Sequence, residues 1–188
     1  SAILAGVALS ALVLAAWTQE WFLIVLTSDQ TLSVAGDAAA PALTALALSG
    51  LALAGALTIA GVVFRVILGV LELAIGALVV TSAALALADP VAASAASITA
   101  ATAVSGSESI AALVSAVSVS AWPALALVSG VLMCLLGAVI AVTARRWPAS
   151  SRRYQAVRLE AAEPGESPIG DWDALSDGRD PTQGVEPR

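Results

Sequence analysis

The sequence has no histidine, no lysine, a single cysteine and few charges of either sign. Without histidine there is no imidazole base and no imidazole metal ligand. Cys134, the lone cysteine, cannot close a disulfide within the chain, and with no histidine beside it no Cys/His metal cluster can form. Charged residues make up 12% of the 188, whereas soluble domains run near about a quarter. With 59% of residues hydrophobic, a water-soluble fold of this size could not hide its apolar surface. Membrane insertion follows.

The eight basic residues are all arginine, and the net charge is −6. Eight of the fourteen acids lie after residue 159, so the acidity belongs to the C-terminal region and not to the apolar body.

The apolar residues fall in long runs, and runs of about 18 or more with almost no charge are what a hydrocarbon layer of about 30 Å requires. Four such segments predict four membrane spans, at about residues 1–16, 41–64, 66–88 and 122–144. The first is short and the chain begins at Ser1, so further residues are expected ahead of it; a cleaved signal peptide is disfavoured because no charged segment precedes the apolar run. The expected fold class is therefore an all-α membrane protein of four transmembrane helices.

Orientation follows from the arginines. Arg65 sits at the junction between the second and third spans, and Arg145, Arg146, Arg152 and Arg153 follow the fourth. Short basic flanks face the cytoplasm, so both termini are expected inside a plasma membrane, with residues 17–40 and 89–121 outside. Those outer loops hold Glu20, Asp29, Asp37, Asp89 and Glu108 and no arginine.

In the first outer loop, β-branched and aromatic residues from Trp21 to Val34 flank a polar turn at Ser28-Asp29-Gln30, which predicts a small extracytoplasmic β-hairpin. In the second loop Asp89 can cap and Pro90 can open a new helix. The apolar stretch from Ile110 to Val119 predicts short helices lying against the membrane surface. From residue 145 onward the composition is that of a disordered cytoplasmic tail.

Glycine pairs at Gly50/Gly61, Gly69/Gly76 and Gly130/Gly137 return to nearly one helix face and predict a close-packed seam. Glu72 is the ionisable residue well inside a span, which makes it an intramembrane functional candidate together with Arg65. The bland alternatives are that Glu72 reaches back toward Arg65 or water and that Arg65 is a topology anchor. Trp17, Trp21, Trp122 and Trp147 flank the spans, where tryptophan serves as an interface anchor. In the tail, Trp172 and Leu175 stand three apart among Asp171, Asp173, Asp177 and Asp180, a spacing that offers one apolar helical turn to a partner's groove. Trp172, Asp173, Leu175 and Asp180 are the partner-docking candidates. No catalytic constellation is present, so an enzyme is not expected, and neither a cofactor nor nucleic acid is expected as a ligand. The expected partners are the bilayer, a cytoplasmic protein bound through residues 171–182, and a further copy of the chain.

The four spans, the Trp-flanked outer hairpin, the segment Arg145-Arg146-Trp147-Pro148-Ala149-Ser150-Ser151-Arg152-Arg153-Tyr154, and above all the tail from Trp172 through Asp173, Gly178 and Pro181 to Thr182 resemble the tryptophan-biosynthesis-associated membrane proteins of actinobacteria. The resemblance implies a four-span plasma-membrane protein linked to tryptophan biosynthesis genes and no catalytic residues. Three readings follow: an accessory protein or scaffold whose tail recruits a partner, a small transporter or exporter of tryptophan, indole or a precursor that uses Glu72, and an extracytoplasmic sensor that uses the outer hairpin.

Overall fold

The structure, a computed structural model, describes residues 2–144. Trp147 and the docking candidates Trp172, Asp173, Leu175 and Asp180 lie outside the described residues.

The described part is mostly helical, with one small sheet. Helix α1 (Ala2–Trp17) leads into strands β1 (Glu20–Leu26) and β2 (Thr31–Ala35), then into the short α2 (Gly36–Ala39) and into α3 (Ala42–Ala56). A tight connection leads to α4 (Val62–Ala88), followed by the short helices α5 (Pro90–Ala93), α6 (Ala95–Thr102) and α7 (Ser107–Leu113), strand β3 (Val114–Val119) and α8 (Trp122–Thr143). Helices α1, α3, α4 and α8 pack as a ring in which each touches the next in sequence and α8 returns to α1.

α4 and α8, of 27 and 22 residues, are long and apolar enough to cross a bilayer. Only 28% and 33% of their most apolar windows are buried, whereas the core helix of a soluble protein would be mostly covered. Phe64, Leu78, Leu85, Leu135, Val139 and Val142 point outward along their lengths, as lipid contact demands. α1 and α3, of 16 and 15 residues, reach roughly 24 and 22 Å at 1.5 Å per residue.

α3 ends at Ala56 rather than running to residue 64 as its apolar composition suggests. The Thr58 hydroxyl donates to the Gly55 carbonyl at 2.7 Å, and such local side-chain bonding competes with helix continuation. The reversal occupies residues 57–61, which moves Arg65 from the junction into the first turn of α4.

The hairpin forms where expected. Asp29 adopts φ 63° at its tip, a left-handed conformation that Asp tolerates. The second loop departs from expectation: instead of lying flat on a membrane surface as helix, residues 114–119 form a third strand. The sheet order is β2-β1-β3, antiparallel throughout, with Phe22 opposite both Val34 and Val119. Val favours a pleated, half-buried surface, and the open edge of β1 offers this Val/Ser stretch such a surface to pair with. Because β1 and β2 join α1 to α3 while β3 stands between α4 and α8, the sheet ties both connections together at one end of the bundle, opposite Arg65.

Candidate functional site

The buried residues of α4 run Arg65, Gly69, Glu72, Gly76, Val79, Ala83 and Ala86, the spacing of one helical face. That face meets α8 at backbone distance. A Cβ on Gly76 would stand 2.6 Å from the Cys134 nitrogen and 2.8 Å from the Gly130 carbonyl, and one on Gly69 would stand 2.7 Å from the Ala141 nitrogen. One on Gly137 would collide with the Leu73 nitrogen and the Gly69 carbonyl. These four glycines form the expected seam. Gly50 instead opens room for Ser10 and Met133 between α1, α3 and α8, while Gly61 faces open space at the α4 start and packs against nothing.

Glu72 projects from this face into the interior. It is 1% exposed, so it does not reach water past Arg65, which is itself buried. Neither carboxylate oxygen has a hydrogen-bond partner among the described residues. The neighbouring Leu73 carbonyl accepts from the Cys134 thiol at 3.5 Å. The buried Ser10 hydroxyl on α1 also has no hydrogen-bond partner among the described residues. A buried carboxylate without donors is costly. Glu72→Met, similar in volume and apolar, is therefore expected to raise stability by about 1–3 kcal/mol, read as a higher melting midpoint in detergent; an unchanged or lower midpoint would mean the carboxylate has partners.

Of the expected anchors, Trp122 opens α8 and is 36% exposed, with Pro123 in the first turn. Trp17 closes α1, half-buried. Trp21 departs from expectation. It is fully buried, its indole Nε1 donates to the Ala16 carbonyl at 2.8 Å, and its ring meets Phe22 edge-on at 6.2 Å. It closes the last turn of α1 and is a core residue of the bundle–sheet junction, not a lipid anchor.

A groove of about 1030 Å³, for which no residue pattern prepares, is walled by α5, α6 and α7. Its floor is small and apolar, from Ala92, Ala95, Ala96, Ala100 and Ala111 with Val91 and Ile110, while Asp89, Ser107, Glu108 and Thr99 supply polar atoms. Asp89 is already engaged as a helix cap, since its Oδ1 accepts from the Ala92 nitrogen at 2.9 Å. Glu108 is exposed. The chain turns from α6 to α7 through two left-handed residues, Ala103 at φ 59° and Gly106 at φ 97°; a non-glycine in that region is held there by its surroundings. No group of three or more Asp, Glu or Cys placed to hold a metal occurs among the described residues.

A bundle with two helices long and apolar enough to cross a bilayer, its long helices clothed outward in apolar side chains and carrying a sheet at one end, defines an integral membrane protein. More narrowly, the chain belongs to the tryptophan-associated transmembrane protein family, whose sequence profile matches residues 3–182. The match extends through the tail motif on which the resemblance most depends. No curated protein and no solved structure matches the chain.

Proposed function

We propose that this protein is a non-enzymatic accessory protein of tryptophan metabolism, held in the plasma membrane by four spans with both termini cytoplasmic, that takes up a small indole-class ligand in the groove of its extracytoplasmic cap. The observation that carries the reading is the groove. About 1030 Å³ is at the upper end of small-molecule sites, which are concave, mainly apolar and marked by a few polar groups. An apolar floor suits an aromatic ring, and the Glu108 carboxylate at the rim suits an ammonium group. The end of the bundle opposite Arg65 is the outer one under the positive-inside rule.

The test is calorimetric titration of tryptophan and of indole into the protein in lipid nanodiscs. Ala96→Trp, which projects a large ring into the groove, is expected to weaken binding of both. Glu108→Gln is expected to weaken tryptophan about 1.5- to 5-fold and leave indole unchanged. Intact binding in Ala96→Trp would end the reading.

A second reading is favoured by the Trp172/Leu175 motif: the tail recruits a cytoplasmic protein, a pathway enzyme being the expected one. Truncation after Tyr154 is then expected to remove that protein from affinity-purified material, and equal recovery with and without the tail would count against it. Transport through the bundle is the third reading, and it requires tryptophan or indole flux that Glu72→Gln lowers. Backbone-close packing of α4 on α8 leaves no passage between those two helices, so a path would need other walls.

A further inference from the structure

β1 is the central strand, and β3 is an edge whose outer side faces no other strand among the described residues. Its backbone polarity can be read from the ladder. Ser120 donates its N–H to the Trp21 carbonyl at 2.9 Å, and the register sets Leu23 opposite Ser118 and Val25 opposite Ala116. In an antiparallel ladder alternate residues turn their backbone groups to the same neighbour. Ala116, Ser118 and Ser120 therefore bond to β1, and Val117 and Val119 direct their N–H and C=O groups outward. Ser115, Ala116, Ser118 and Val119 are exposed.

Natural edge strands are ordinarily guarded by a charge, a proline or a covering element. Residues 109–122 contain neither a charge nor a proline. None of the cap's acids, Glu20, Asp29, Asp37, Asp89 and Glu108, lies on β3, although Glu20 flanks its C-terminal end, where its carbonyl accepts from the Ser120 hydroxyl at 2.7 Å, and the cap has no basic residue. Two copies meeting by any acidic part of the cap would set like charges together; at β3 they meet on a neutral surface.

We propose that β3 is a self-association edge that pairs antiparallel with β3 of a second copy, in the register centred on Ser118. A two-fold axis perpendicular to a sheet sets residues opposite one another whose numbers add to twice the central one. With Ser118 opposite itself, Val117 of each copy faces Val119 of the other, and those are the residues with outward groups. Four reciprocal backbone hydrogen bonds form, all outward groups of Val117 and Val119 are satisfied, and the sheet becomes a continuous six-stranded one.

The experiment is oxidative crosslinking of the full-length protein, in membranes and then in detergent, in a Cys134→Ser background. Across the central, non-hydrogen-bonded pair the Cα atoms stand about 4.5 Å apart, within disulfide range. Ala116 and its copy are offset by about 13 Å along the strand. Ser118→Cys is expected to give at least about fivefold more covalent dimer than Ala116→Cys. Val117→Pro added to Ser118→Cys removes one outward donor while sparing the bonds to β1, and is expected to abolish the dimer without lowering the melting midpoint. Equal yields from the two cysteines, or a folded Ser118→Cys protein that stays monomeric, would overturn the proposal, including the case in which the edge serves an extended segment of another protein.

Discussion

Gly137→Val is expected to cost about 3 kcal/mol or more and to remove most folded protein from a detergent extract. The reason is the nature of what the new side chain meets. A Cβ there collides with the Leu73 nitrogen and the Gly69 carbonyl, which are backbone atoms of a continuous helix and cannot step aside as a flexible side chain could. The helices would have to separate, and in lipid their association depends on close packing because burial of apolar surface supplies no drive. Gly61→Ala provides the contrast. Nothing lies within 4 Å of its Cβ position, so a change within about 0.5 kcal/mol is expected. Thermal unfolding in one detergent compares the two directly, and similar midpoints would show that α4 and α8 do not meet at this seam.

Trp21→Ala is expected to cost about 3–5 kcal/mol. The indole is fully enclosed between α1 and the sheet, and its removal empties a cavity and also leaves the Ala16 carbonyl with only the longer bond from the Gln19 N–H at 3.2 Å. Trp21→Phe separates the contributions: most of the volume stays, the hydrogen bond goes, and about 1–2 kcal/mol is expected to be lost. If instead Trp21 were a lipid anchor, Phe would be nearly neutral and Ala would cost little. Gly36 supports the enclosed placement independently, since a Cβ on it would stand 2.7 Å from both the Trp21 Nε1 and the Trp17 carbonyl.

Where local chemistry decided the structure, the sequence was readable. Asp89-Pro90 reads as cap and helix start, Trp122-Pro123 as the start of α8, and the polar turn at Asp29 between β-branched runs as a hairpin. The Gly69/Gly76 and Gly130/Gly137 pairs were readable because a seven-residue return is a property of one helix. What failed to show was set by partners distant in sequence. β3 is half Val, which favours a strand, but Ser and Ala interrupt any apolar alternation, and it becomes a strand because β1 presents an unpaired edge. Trp21 stands at a sequence position typical of anchors, and only the return of the sheet over α1 encloses it. The α3–α4 reversal was misplaced because Thr58 and Gly61 lie in a run whose composition is apolar throughout. The groove was invisible for a related reason: alanine marks no chemistry, and a cavity belongs to the arrangement of α5, α6 and α7, not to any one of them. Glu72 could be singled out by its charge, but its complete enclosure could not.

The closure of the sheet also sets an order of events during synthesis. Ser115 bonds to the Val25 carbonyl across 90 residues of chain. At a translation rate of about 5–20 residues per second, β1 waits roughly 5–20 s for its second neighbour. During that interval the hairpin has one finished side and one bare side, and α4 must enter the membrane before the missing strand can arrive. The nascent cap is thus an incomplete template until β3 has emerged, and a chain stalled between α4 and β3 would display that bare edge to proteases and chaperones as a mark of unfinished assembly.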